Sequence, residues 1–244
     1  MVSGKYSALS GAVAREQAMA NISNNLANIN STGFKKDRVG FEALLTGRKQ
    51  DTDARGINYS RIRKIGIDFE QGPLRETGRD LDVAISGKGF FKINRDGQTL
   101  YTRNGSFYID NNGMLKTSQG SNVLNESNQP IQLPDAQGKK LYIDESGNIT
   151  LDTTPSGEKL QVFNVSDPEK LKKNGDSLFL LEQGATSQPV NDSRIIQKNL
   201  ESSNINMIEE MAMMIDTQRK FDAYLKVQKN YSTLSEKQNE LGTV

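Results

Sequence analysis

With 244 residues, the chain is long enough for one large domain or two small ones, and for a buried core. Charge nearly cancels, with 31 Lys plus Arg against 30 Asp plus Glu, which removes any global electrostatic pull toward nucleic acid or an anionic membrane surface. The chain has no Cys and no His, so thiolate or imidazole zinc sites, thiol nucleophiles, histidine triads and disulfides are excluded. The absence of Cys also suits passage through an oxidising compartment. The apolar fraction of 34% predicts a modest core, so either the molecule is elongated or part of it gains burial from partners. No apolar run approaches the ~20 residues that a membrane span needs, and Arg15 and Glu16 interrupt the weakly apolar start as no cleaved signal would.

Proline maps the chain: none precedes Pro73 and none follows Pro189. Proline breaks helix interiors, so both ends are free to be helical and the middle is not. At the N-terminus, Leu9, Ala12, Glu16, Met19, Ser23 and Leu26 alternate spacings of three and four, thickened by Val13, Ala20, Ile22 and Ile29. The helix is expected to stop near Asn30, where Ser31-Thr32-Gly33 supplies turn residues. Its seam is too poor in large apolar residues to hold a helix alone, so it needs a partner, most simply the other end of the chain. Lys35 and Lys36 after the turn read as solvated. Residues 35–84 mix charge, Gly and short apolar runs and read as an extended connector with one or two strands.

The middle reads as β. Apolar strands flank tips at Asp96-Gly97, Asn112-Gly113 and Ser146-Gly147, and Asn104-Gly105 adds a further hairpin signal. The recurrence predicts a meander or small barrel over roughly residues 85–190. The C-terminal end carries the strongest local signal. Asn206 followed by Glu209 reads as a helix N-cap with a capping-box partner. Met207, Met211, Met214, Gln218, Phe221, Leu225 and Gln228 then form a 4-3 stripe widened by Ile208 and Ile215, with Tyr231, Leu234 and Leu241 following after a shift in phase. As one helix, the segment from Asn206 to Leu241 spans ~50 Å and is a coiled-coil candidate.

Motifs that carry chemistry are weak. The tips at Gly113 and Gly147 resemble calcium loops, but the end positions fall on Tyr108 and Gln119, and on Tyr142 and Thr153, instead of acids. Ser86-Gly87-Lys88-Gly89 lacks the upstream glycine and following hydroxyl of a phosphate loop and precedes a strand, so a structural turn is the better reading. Asp80 and Asp82 could be imagined as a glycosidase pair, but nothing nearby would raise a carboxyl pKa, and arginines such as Arg75 and Arg79 are at hand. The methionines at 207, 211, 213 and 214 read as packing within a coiled coil. Catalytic, cofactor-binding and metal residues: none is predicted.

Asn21 through Lys35, with the core Asn24-Asn25-Leu26-Ala27-Asn28 and the turn Thr32-Gly33-Phe34-Lys35, strongly resembles the signature of the flagellar rod, hook and hook-associated proteins. Ser203-Asn204-Ile205-Asn206 before Glu209, Met214-Ile215 and Gln218-Arg219 resembles the same family's C-terminal helix. Gly72-Pro73-Leu74 through Thr77-Gly78, Leu81 to Ile85, Gly89-Phe90-Phe91 and Tyr101 to Phe107 are similar to the rod proteins' core domain. The likeness is greatest to the proximal rod form, because the stretch from Lys36 to Gln71 is compact, and next greatest to the distal form.

The resemblance implies an α+β fold: long N- and C-terminal helices paired as a coiled coil around a mainly-β central domain. It divides the chain into 1–32, an N-terminal assembly helix; 33–84, an extended connector; 85–190, a β-rich outer domain; 191–202, a return connector; and 203–244, a C-terminal assembly helix. It implies a structural, non-enzymatic subunit of the basal-body rod, surrounding the export channel. Its partners would be other rod and hook-basal-body subunits, copies of itself and the flagellar type III export apparatus, with no nucleic acid and no membrane insertion. It would leave the cell without a cleaved signal. The expected assembly seam is Leu9, Met19, Leu26, Met211, Met214, Phe221 and Leu225, and Asn25, Asn28, Gly33 and Phe34 are expected to fix the signature turn. The rival readings are a distal rod or hook-type subunit, a cell-wall hydrolase or binding module with convergent acids in the β domain, and a membrane-surface binder. The mixed-sign C-terminal helix argues against the last.

Overall fold

A computed structural model describes residues 2–46, 57–134, 136, 138–175, 177–190 and 192–241. The part of the expected connector at residues 47–56 and the side chain of Leu241 lie outside the described residues. The chain divides into two units, one of residues 1–27, 37–68 and 205–244, the other of residues 28–36 and 69–204.

The first unit holds both long helices and a hairpin. Helix α1 spans Val2–Ala27. Strands β1 (Asp37–Thr46) and β2 (Ile57–Ile67) pair antiparallel, with the register shifting between Gly40 and Phe41, and both pack on α1. Arg38 pairs with the buried Asp68 carboxylate at 2.6 Å. Helix α2 spans Met207–Leu241. Asn206 caps it: its side-chain oxygen accepts from the N–H groups of Ile208 and Glu209, at 3.1 and 3.4 Å. Glu209 and Glu210 in the first turn complement the positive end of the helix. The two helices pack against each other.

The second unit is antiparallel β. In chain order its strands are β3 (Leu74–Glu76), β4 (Val83–Ser86), β5 (Phe90–Arg95), β6 (Gln98–Thr102), β7 (Phe107–Ile109), β8 (Leu115–Thr117), β9 (Asn122–Val123), β10 (Leu141–Ile143) and β11 (Asn148–Leu151). They continue as β12 (Thr154–Lys159), β13 (Val162–Val165), β14 (Leu171–Lys173), β15 (Leu178–Leu181), β16 (Ser187–Val190), β17 (Arg194–Gln197) and β18 (Asn199–Glu201). The main sheet runs β14-β15-β6-β5-β9-β8-β7, with β13 bridging β5 to β16. β10-β11-β12 form a separate meander, and β17 and β18 return along the chain to pair with β4 and β3. The sequence alternation that predicted strands builds the core: Val83, Ile85, Phe91, Ile93, Leu100, Phe107 and Leu115 are fully buried. Phe69, Phe90 and Phe179 stack edge to face with centroids 5.5–5.7 Å apart.

The loops that resembled chemical motifs are turns. The Asp110 carboxylate accepts from the N–H groups of Asn112 and Met114 and pairs with Lys116 at 2.8 Å. Asp144 accepts in the same way from Ser146 and Asn148. Each acid is thus used to close its own loop. Gly87 and Gly89 take φ of 112° and 124°, and a Cβ on Gly89 would stand 2.5 Å from Val162, so the glycine-rich loop is a tight turn between β4 and β5.

Candidate assembly site

The inner face of the helix pair has a regular construction. On α1 the sheltered positions are Ala8, Gly11, Ala12, Ala14, Ala18, Ile22 and Asn25, all small apart from Ile22 and Asn25. On α2 they are Glu210, Met214, Thr217, Phe221, Tyr224, Gln228 and Tyr231, an unbroken alternation of four and three. The Tyr224 ring lies against Gly11, 2.5 Å from where a Cβ would be, and the Tyr231 hydroxyl lies equally close at Gly4. Asn25 donates to Glu210 at 3.3 Å. Each step of seven along α1 is therefore matched by a step of seven back along α2, so the helices are antiparallel in a single register.

Of the residues expected at the seam, Met214 and Phe221 occupy sheltered positions on α2, and Met19 and Leu26 are half-buried. Leu9, Met211 and Leu225 face outward, at 42%, 48% and 42% exposure. Tyr231 is not out of phase but continues the inner row, whereas Leu234 is exposed. The missed signal is the matched spacing of Gly4 with Gly11 and of Tyr224 with Tyr231. A search for large apolar residues passes over glycines. Outside the inner row, Tyr6, Val13, Met207, Ile208, Met213, Ile215 and Val227 join Leu9, Met211 and Leu225 as exposed apolar side chains on the two helices.

The signature residues divide between the units. Asn25, 1% exposed, belongs to the first: its amide donates to the Asp37 carbonyl at 3.1 Å as well as to Glu210, and its oxygen accepts from the Asp37 N–H at 3.0 Å. One side chain thus holds the end of α1, the start of β1 and the first turn of α2. Asn28, Gly33 and Phe34 belong to the second unit. The Asn28 carbonyl and side-chain oxygen both accept from Ser31, at 3.1 Å each. Gly33 takes φ of 66°, and a Cβ there would lie 2.5 Å from the Asn104 nitrogen, so only glycine fits. Phe34 is buried beneath Lys173, whose ammonium sits 4.0 Å from the ring centre.

Lys35 is not solvated. Its ammonium is fully buried, 2.6 Å from Glu201 and 2.6 Å from the Glu70 carbonyl. Glu201 also receives Arg103 at 3.2 Å and the Gly72 N–H at 3.0 Å, and its carbonyl accepts from the Gly33 N–H. Arg103 lies over the Phe90 ring and donates to the Gly87 carbonyl. Burial lowers the Arg103 pKa, and the Glu201 charge and hydrogen bond oppose that shift. The Lys35 sequence neighbourhood looks like surface because its counter-charge lies far along the chain, in β18.

Family models match in three segments: the flagellar hook protein FlgE/F/G D1 domain at residues 84–151, the C-terminal segment of basal-body rod FlgEFG proteins at 196–241, and the basal-body rod protein N-terminal match at 6–35. Over 93% of its length the chain is 33% identical to the basal-body rod protein FlgG of Bacillus subtilis, covering 94% of that protein. The chain belongs to the flagellar basal-body rod protein family. The rod protein FlgF of Caulobacter vibrioides is 31% identical over 94% of both chains, and FlgG of Borreliella burgdorferi is 34% identical over 91% of this chain and 92% of its own. As a member of this family the chain is a structural subunit of the basal-body rod. The rod-family N-terminal and C-terminal segments contain Asn25 and Glu210, so the two matched ends meet in one hydrogen bond.

Asp80 and Asp82, weighed above as a glycosidase pair, each face a cation in this rod protein. Asp82 is buried beside Arg79 at 3.5 Å, and Asp80 pairs with Lys198 at 3.2 Å. The surface depressions of the β unit include two that are polar. One, lined by Arg95, Asp96, Gln98 and Asn174, holds one carboxylate, and the other, lined by Ser146, Lys159, Gln161 and Ser193, holds none. Among the described residues no three acidic side chains could share a metal, and no helix is long and apolar enough to cross a membrane.

Proposed function

We propose that this rod subunit assembles through the outward faces of α1 and α2, packing them against other copies and other rod and hook-basal-body subunits around an axial channel. The observation that carries the reading is an inner face already filled beside an outer face left apolar. Leu9 and Val13 on α1 and Met211, Ile215 and Leu225 on α2 stay exposed on helices whose inner rows are occupied. Large apolar side chains grouped on a surface mark an interaction site. Met19, Leu26, Met214 and Phe221 then support the seam from within. The paired helices act as a coiled coil, and the β unit serves as the structural body without catalysis. The chain leaves the cell through the flagellar type III export apparatus with no cleaved signal. The short stretch from Lys36 to Gln71, a single hairpin in its described part, favours the proximal rod form over a distal or hook-type subunit.

The test is a charge placed on the outward face. Met211→Glu, expressed in place of the native chain, is expected to abolish motility and recovery of the subunit in purified basal bodies. Thermal unfolding of the β unit, followed in the purified full-length chain, should be unchanged, because Met211 is exposed on α2 and belongs to the other unit. Normal swimming and normal incorporation of Met211→Glu together with Leu9→Glu would reject this face as the assembly surface.

A further inference from the structure

Gly4 and Gly11 lie inside α1, where glycine weakens a helix relative to alanine. Both positions are occupied from across the pair by a tyrosine side chain 2.5 Å from the missing Cβ, the ring of Tyr224 at Gly11 and the hydroxyl of Tyr231 at Gly4. The third point of contact is polar: Asn25 and Glu210 are 1% and 2% exposed and bond to each other. We propose that Gly4–Tyr231, Gly11–Tyr224 and Asn25–Glu210 form a three-point register lock. It admits one axial alignment of α1 on α2 and so sets which outward apolar residues stand side by side for a neighbouring subunit. The proposal rests on the rod reading above.

The argument is one of exclusion. Any alternative that keeps the inner faces together must slide by a heptad, about 10 Å along the axis. Sliding one way puts Ala18 under Tyr224, and the ring that sits on Gly11 leaves no room for a methyl group. Sliding the other way sets Gly11 against Thr217 and carries Asn25 past the first turn of α2. One socket is then empty, and the Asn25 amide and Glu210 carboxylate lose each other while buried. A single buried polar pair is a known means of fixing register between helices whose apolar faces would tolerate several. Met211 and Leu9 gain a fixed relative height only because the slip is barred.

The chain has no native Cys, so paired cysteines report register directly. Asn21→Cys with Met214→Cys reads the observed alignment. Asn21→Cys with Met207→Cys reads one slip, and Asn21→Cys with Phe221→Cys the other. Each full-length pair is oxidised with oxidised glutathione, both as free chain and in purified basal bodies, and the intramolecular disulfide is followed by gel mobility. The aligned pair is expected to close about tenfold faster than either slipped pair, the scale of a one-methyl overpacking clash. Gly11→Ala, which would strengthen an unpartnered helix, should slow the aligned pair by about the same factor, and adding Tyr224→Ala should restore it. The lock is overturned if slipped pairs close as fast as the aligned one, if Gly11→Ala leaves or raises the aligned rate, or if no aligned disulfide forms in either sample. The two readings separate cleanly. A chain absent from basal bodies that still closes the aligned pair in solution defeats the rod reading and keeps the lock. A chain present in basal bodies that closes all pairs alike does the reverse.

Discussion

Glu201 gathers buried bonds: its carboxylate receives two buried cations and a backbone N–H, and its carbonyl receives the N–H of Gly33. Removing a partner from a buried ion pair costs more than the pair contributes, because the remaining charge stays desolvated. Glu201→Gln should therefore destabilise the β unit by about 3–5 kcal/mol in urea unfolding, since it leaves Lys35 and Arg103 without an anion. Lys35→Met should cost clearly less, because Glu201 keeps Arg103 and the apolar chain fills the same space. An equal loss in the two variants would mean that the cluster acts as packing alone. Lys35 is also the residue that sequence reading most misjudges. A lysine after a turn is ordinarily solvated, and its burial depends on a carboxylate met only once β18 has returned to β3.

Elements were legible where the signal is local. The Asn206 cap, the α2 body, the turn at Gly33 and the hairpin tips at Gly97, Gly113 and Gly147 depend on residues within a few positions of one another, and the structure places each as read. Asn104-Gly105 closes no hairpin: β6 before it pairs with β5 and β15, and β7 after it pairs with β8, partners that a local turn signal does not reveal. Replacing Asn206 with Ala should cost about 1 kcal/mol of α2 stability, seen as lost helical signal wherever that helix is formed. The phase of the helix faces was not legible in the same way, because small residues define the inner row of α1 and large ones the outer. Hydrophobicity alone then selects the outward face, as it did at Leu9 and Leu225.

The hairpin tips carry a pH signature. Hydrogen bonding from Lys116 and from the Met114 and Asn112 N–H groups, against some desolvation, holds the Asp110 carboxyl below its ordinary pKa. At Asp144 burial works upward but is outweighed by bonds from Asn148, Ser146 and Gly147, again giving a lowered pKa. A carboxyl whose folded pKa is depressed adds stability above its unfolded pKa and loses it as pH falls through the folded one. The thermal midpoint of the β unit should therefore fall as pH drops below about 4, and Asp110→Asn with Asp144→Asn should flatten that part of the profile. An unaltered slope in the double variant would locate the acid sensitivity elsewhere.

For the whole molecule, the two ends of the chain pose a folding problem that the β unit does not. Its core is closed by Phe91, Phe107, Ile93 and their neighbours, all within residues 69–204. Helices α1 and α2, of 26 and 35 residues, bury small side chains and a few rings on one side and leave apolar residues such as Ile208, 80% exposed, on the other. Isolated helices are marginal in water, and a Gly- and Ala-rich seam recovers little apolar area to offset the entropy of ordering both ends. On the assembly proposed above, the outward faces would bury against neighbouring subunits, so ordering and assembly should be one event. Far-UV circular dichroism of the dilute full-length monomer is thus expected to show mainly β signal, with far less helix than α1 and α2 would give when formed. Helix should rise with subunit concentration or on incorporation. A monomer that shows both helices fully formed at low concentration, melting together with the β unit, would mean that the pair is stable before it meets a neighbour. In that case the register lock would operate on the free chain, and exclusion of wrong alignments would precede assembly instead of accompanying it.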